Sequence, residues 1–329
     1  MFGTFRFMLA MMVVHSHFSG GGLAGPVAVF GFFCLSGYLM TRIVNETYSD
    51  GLSGYLRYLG NRALRIYPAY YAALAIATGV VFLWPVEART AAGWYALPEG
   101  WLPTITIFGL QPRSPILVIP AWSLHVELIH YILIGAVLGR SRRLTSLWFI
   151  CALAVPFVAM LLGGLSFDWL YFSAYGSSVA FAAGAMIYQF RDKLPSLSPS
   201  LAVMACLVLI YLGLNMSVEV AGAGGLHASI ILTAVAIVGL KEMTTRRWDS
   251  VLGDLAYPVF LVHIPCRAAM SGLLGHTNIW VDVAAVGATI VLSYLIVAFV
   301  ERPLSTIRNK LRSPGSIESG SLTAWWRQG

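Results

Sequence analysis

The sequence predicts an all-α protein, a polytopic bundle of about ten membrane-spanning helices with both termini cytoplasmic. Three observations carry that expectation: the composition, the recurrence of apolar stretches of bilayer length, and the alternation of basic residues between them. Of 329 residues, 58% are hydrophobic and 11% charged, against roughly 25% charged in a soluble domain. A single soluble core stops growing at about 250–300 residues and still needs a polar skin, which this composition does not supply. Disordered, coiled-coil and disulfide-scaffold classes are excluded by the same figures.

Ten segments are long and apolar enough to be read as spans: 1–18, 27–44, 67–84, 116–138, 144–162, 169–190, 197–214, 224–240, 252–274 and 280–300. The net charge of +7 comes from short Lys/Arg groups between these segments rather than from a basic face, so nucleic acid is not an expected partner. Arg57, Arg62 and Arg65 fall in the second-to-third connection, Arg140, Arg142 and Arg143 in the fourth-to-fifth, Arg191 and Lys193 in the sixth-to-seventh, and Lys241, Arg246 and Arg247 in the eighth-to-ninth. Arg302, Arg308, Lys310, Arg312 and Arg327 follow the last span, whereas the odd-numbered connections hold only Arg89 and Arg113. That alternation sets the expected orientation. Residues 1–312 read as the transmembrane domain and the Ser/Gly-rich 313–329 as a flexible cytoplasmic tail.

The first segment carries Arg6 within its apolar run, with no basic leader and no small-x-small site before Gly20, and is expected to be a resident helix rather than a cleaved signal. Ionisable groups at bilayer depth cost a few kcal/mol each and are functional candidates by default. Arg6 and His17 are eleven residues apart, about 1,100° of helix, or three turns plus roughly 20°, so they share a face with a rise of about 16.5 Å between them. His15 points elsewhere. In the second segment Phe32-Phe33-Cys34-Leu35-Ser36-Gly37-Tyr38 sets small residues among aromatics, as close helix packing in lipid requires.

Residues 55–68 alternate apolar and basic side chains and predict a surface helix leading into the third span. Arg62 and Arg65 share a face there, either as topology markers or as a bidentate clamp for phosphate. The long outer connection 85–115 contains an apolar stretch, 101–110, too short to cross and therefore interfacial or re-entrant, with Trp94, Tyr95 and Trp101 at headgroup level. The fourth span places Ser123, Glu127 and His130 on one face beside Trp122, and its mid-depth carboxylate needs a partner such as His or Arg. In the ninth, His263 and Arg267 are four apart and well inside the span. Glu301 closes the tenth with an ordinary surface ion pair, and Asp168, Asp254 and Asp282 read as helix-end caps. Cys34, Cys151, Cys206 and Cys266 lack metal-ligand spacing and are expected as buried free thiols; no metal is expected. No repeat is found, so the inverted symmetry of many transporters is missing.

Taken in order, Arg6 with ten residues to His17, Gly31-Phe32-Phe33-Cys34-Leu35-Ser36-Gly37-Tyr38-Leu39, Arg62-x-x-Arg65-Ile66-Tyr67-Pro68, Trp122-Ser123-Leu124-x-x-Glu127, Tyr257-Pro258-x-x-x-Leu261-x-His263 and Glu301-x-Pro303 make the chain resemble the acyltransferase 3 family along its length. These are integral membrane enzymes that O-acylate extracytoplasmic sugars and related acceptors. The resemblance implies an inner (plasma) membrane enzyme that moves an acyl group, expected to be acetyl, from cytoplasmic acetyl-CoA to a hydroxyl of an extracytoplasmic or lipid-linked saccharide. Exopolysaccharide, lipopolysaccharide O-antigen, a lipid-linked oligosaccharide and a small secondary metabolite all remain open as acceptors.

The resemblance further implies that Arg62, Arg65 and Arg6 bind the CoA moiety. His17 would act as general base or as acyl-accepting nucleophile, Glu127 would orient or charge-tune it, and Arg6 would stabilise developing negative charge. Trp122, Ser123, His130 and His263 are the candidates for contact with the acceptor. The sequence differs in carrying His15 and in containing no fused extracytoplasmic hydrolase-like domain such as some members have, so a separate extracytoplasmic partner is an open expectation. The competing class is a transporter or flippase of a lipid-linked saccharide, which would also place charge inside the membrane.

Overall fold

A computed structural model describes residues 1–93, 95–163, 166–241 and 243–312. The expected headgroup aromatic Trp94, Arg327 and the expected flexible tail lie outside the described residues. Among those described there is no strand beyond an isolated bridge between Tyr95 and Ile116. The helices are α1 (Phe2–Phe18), α2 (Ala24–Thr47), α3 (Leu52–Leu83), α4 (Pro85–Ala91), α5 (Trp101–Thr106), α6 (Ala121–Leu133), α7 (Arg142–Leu161), α8 (Phe167–Phe172), α9 (Ala174–Gln189), α10 (Pro199–Asn215), α11 (Val218–Leu240), α12 (Arg247–Leu274), α13 (Ile279–Ile296) and α14 (Arg302–Lys310). A π-helical turn extends α6 over Ile134–Leu138, and another, Val297–Glu301, joins α13 to α14.

The chain is an all-α, multi-pass membrane protein. Among the described residues seven helical runs are long and apolar enough to cross a bilayer: α2, α3, α6 with its π turn, α7, α11, α12, and α13 through α14. The other three expected spans are shorter, α1 and α10 at 17 residues and α9 at 16. The segment expected over 169–190 is broken at Ser173, whose hydroxyl caps α9 by accepting from Gly176 N. Conversely, the expected surface helix and third span are one 32-residue helix, α3, running through Pro68. A proline inside a membrane helix weakens its ladder, and contacts from neighbouring helices hold it in place. Here Tyr257 donates its hydroxyl to the Ile66 carbonyl at 2.9 Å and ties α12 to α3 at that point.

The core is built by α1, α2 and α12, with α1 packed on α12 and α2, and α2 on α9 and α11. Peripheral α7 and α13 expose apolar side chains such as Leu147, Phe157, Val283 and Val291, the arrangement of a protein solvated by lipid. Cys151 is exposed on α7 and Cys206 half-buried, which corrects the expectation of four buried thiols; Cys34 and Cys266 are buried. Small residues bring backbones together. A Cβ at Gly37 would lie 2.0 Å from the Phe181 carbonyl oxygen, and one at Gly184 1.8 Å from that of Cys34. Gly37→Ala is therefore expected to destabilise the α2–α9 contact by about 1–3 kcal/mol, lowering the unfolding temperature in detergent. Gly79→Ala, where a Cβ meets open space, should not; equal melting of the two variants would contradict the packing.

The basic connections gather at one end of the bundle. Arg140 pairs with Asp50 at 3.1 Å, Arg142 donates to the Gln189 carbonyl at 2.9 Å, and Lys241 donates to the Arg191 carbonyl at 3.2 Å. At the other end Arg113 and Asp168 form a two-pronged ion pair. The short apolar stretch 101–110 forms α5 and then turns at Ile107 and Gly109, both at positive φ (69° and 82°). Hydroxyls of Tyr67, Tyr70 and Tyr71 on α3 donate to the carbonyls of Thr106, Thr104 and Ile105, which satisfies the end of a helix too short to bond itself.

Candidate active site

His17 lies in the last turn of α1, and α12 fixes both its ring and its backbone. Its Nδ1 is 2.7 Å from Nε2 of His263, with the two rings stacked at 5.0 Å between centroids. Nδ1 of His263 is 3.1 Å from the Val259 carbonyl. A carbonyl only accepts, so that nitrogen carries the hydrogen and Nε2 of the neutral His263 is left as an acceptor. His17 must then donate from Nδ1, which leaves the lone pair of its own Nε2 free. One turn beyond His263, Arg267 donates to the carbonyls of His17 and Phe18, each at 2.9 Å, and is itself held by Asp282 at 2.8 Å. A guanidinium on the final carbonyls of α1 satisfies them and complements the helix dipole. The histidine is thus anchored from both sides, while His15 is exposed.

Beside His17 is a cavity of about 240 Å³, lined also by Ser123, Trp122, Gln111, Arg113 and Phe172. Trp122 stands edge-on to Tyr171 and Phe172 at 4.9 and 4.7 Å, so one wall is aromatic while the hydroxyl, amide and guanidinium provide polar points. A wider groove of about 410 Å³ runs along α7 from Cys151 to Leu162. Apart from the Cys151 thiol its lining is aliphatic.

Eleven residues before His17, Arg6 passes close to Gly253, whose Cβ would lie 3.4 Å from the guanidinium. Both residues thus face α12, as their spacing predicts. The start of α1 is fastened there as well. The Asp249 carboxylate accepts from Thr4 N and Thr4 Oγ1 at 2.8 and 2.7 Å. Nε of Arg6 is buried without a hydrogen-bond partner among the described residues.

The remaining predicted residues divide. Trp122 and Ser123 reach the cavity. Glu127, expected beside His17, accepts instead from Ser36 Oγ at 2.5 Å and from the Tyr131 hydroxyl, and the place beside the His17 ring belongs to His263. His130 is stacked on Phe181 at 4.0 Å with Nδ1 on the Val126 carbonyl and does not line the cavity. Arg65 is paired with Glu301, so the two arginines of the expected clamp differ: Arg62 reaches Asn61 Oδ1 at 2.8 Å and has no carboxylate partner among the described residues. Glu301 is correspondingly not a surface residue. It is 6% exposed at the end of the second π turn, and the helix continues past it. Asp282 serves Arg267, Asp168 serves Arg113, and Asp254 lies inside α12 rather than at its end.

A family model described as an acyltransferase domain, that of acyltransferase 3, matches residues 3–298. The chain belongs to the acyltransferase 3 family. The match takes in Arg6, His17, Arg62, Arg65, Glu127 and His263 within one acyltransferase domain, and stops before Glu301 and α14. No curated protein and no solved structure matches the chain. As an acyltransferase 3 protein with its apolar helices arranged as above, it is a membrane acyltransferase by family.

Proposed function

We propose that this protein moves an acetyl group from acetyl-CoA on the cytoplasmic side of the plasma membrane to a hydroxyl of an extracytoplasmic or lipid-linked saccharide. The observation that carries the reading is the free Nε2 of His17 beside a cavity walled by aromatic and polar groups. His17 Nε2 takes the proton of the acceptor hydroxyl. The oxygen bonds to the thioester carbonyl carbon, the carbon–sulfur bond breaks, and the imidazolium returns its proton to the departing thiolate. The products are an O-acetyl ester and the free thiol of CoA. His263 holds the reactive tautomer. Trp122, Tyr171 and Phe172 suit the apolar face of a sugar ring, and Ser123 and Gln111 its hydroxyls. Arg6, below His17 on the same helix face, suits negative charge on the donor.

Thioester dependence tests the reading. Purified protein is expected to bind acetyl-CoA and to hydrolyse it slowly without acceptor. Movement of a lipid-linked saccharide across vesicles that contain no acyl donor, with no turnover of acetyl-CoA, would assign the protein to transport instead.

A further inference from the structure

Around the N-terminal half of α3, charge is unevenly neutralised. Arg65 has Glu301, but Arg62, Arg308 and Arg312 have no carboxylate partner among the described residues, and they converge. Asn61, next to Arg62, donates its amide to the Arg308 carbonyl at 2.7 Å and fastens α14 to α3. The fields of Arg62, Arg312 and Arg308 all bear on the buried hydroxyl of Tyr48, where they oppose the upward shift that burial imposes. Three donors of this cluster are buried without a hydrogen-bond partner in the described structure: Arg62 Nε, Arg308 Nη1 and Tyr48 Oη. Unmade hydrogen bonds to buried charged groups are costly, and like charges brought together add to that cost. A multiply charged oxyanion offers acceptors to all three donors and removes the repulsion.

We propose that Arg62 of α3, Arg308 of α14 and Tyr48 form a phosphate-binding site, with Arg312 beside it, and that its ligand is a phosphate group of the acyl-CoA donor. This rests on the proposed function for the identity of the ligand, and it reassigns the phosphate contact. The partner of Arg62 is Arg308, which lies beyond the stretch 3–298 that the family model covers, rather than Arg65, whose charge is spent on Glu301. The helix after the last span is then part of the donor site and not only a topology marker.

The test compares CoA with pantetheine, which has the same thiol arm and no phosphate, by calorimetry on the full chain in nanodiscs with and without phosphatidylglycerol. Loss of a charge-assisted contact corresponds to about tenfold or more in affinity. Arg308→Gln is expected to weaken CoA by that factor, to leave pantetheine unchanged, and to behave alike in both lipid mixtures; Arg308→Lys should recover part of the loss. Arg308→Gln that binds CoA as wild type does would overturn this site while leaving the acyltransferase reading intact. An effect confined to phosphatidylglycerol nanodiscs would assign the cluster to a lipid headgroup and overturn it too. A folded wild-type chain that binds no CoA would sink the reading of the function itself, and the donor site with it.

Discussion

His17→Ala is expected to lower acetyl transfer by about 10²–10⁴-fold, the contribution of a positioned general base, while the protein still inserts and keeps its unfolding temperature to within a few degrees. The separation of effects follows from the anchoring. Arg267 grips α1 through the backbone carbonyls of His17 and Phe18, which alanine retains, and the ring itself makes one hydrogen bond, to His263. Binding of CoA should be little changed, because the proposed phosphate contacts belong to α3, α14 and Tyr48 rather than to the last turn of α1. Single-turnover transfer by the purified variant checks this, and activity within a few-fold of wild type would remove His17 from the chemistry.

The second large effect is expected at His263, which is fully buried and acts on the reaction through His17. His263→Phe preserves an aromatic ring of similar thickness against His17 but removes the side-chain acceptor of its Nδ1 hydrogen. The His17 ring is then free to turn and to place its hydrogen on the nitrogen that should be bare. Partners that fix the tautomer of a metal-bound histidine contribute about 10–100-fold, and the same orienting role here is expected to lower kcat by a similar factor with KM for acetyl-CoA nearly constant. His263→Gln is the informative companion. Its amide NH₂ donates to the Val259 carbonyl while its oxygen accepts from His17, and it should recover part of the lost rate. A purely structural role would lower the unfolding temperature of both variants together and show no such recovery.

How far the site was legible depends on the range of each interaction. Arg6 and His17 share a face because helical periodicity is local arithmetic, and the structure places both against α12. The partner of His17 was not readable in the same way. It lies 246 positions away, and a mid-depth carboxylate was the more obvious candidate. Glu127 nevertheless carried a local warning, since Tyr131 is one turn on and bonds to it. The break at Ser173 also had a signal, a hydroxyl three residues before Gly176 in the pattern of a helix cap. Arg65 and Glu301 are 236 positions apart, and nothing local shows that one arginine of the pair is neutralised and the other is not. Membrane packing hides such pairings because every helix is apolar, so hydropathy marks where a helix is but not which polar faces meet.

The most direct test of the central claim is mass spectrometry of envelope and secreted glycans from cells carrying the wild-type chain, no chain, or His17→Ala. An acetyl increment on a saccharide species is expected with the wild type alone, lost equally in the other two. Glycans that keep the same acetylation in all three, or that change in abundance without any change in mass, would contradict it.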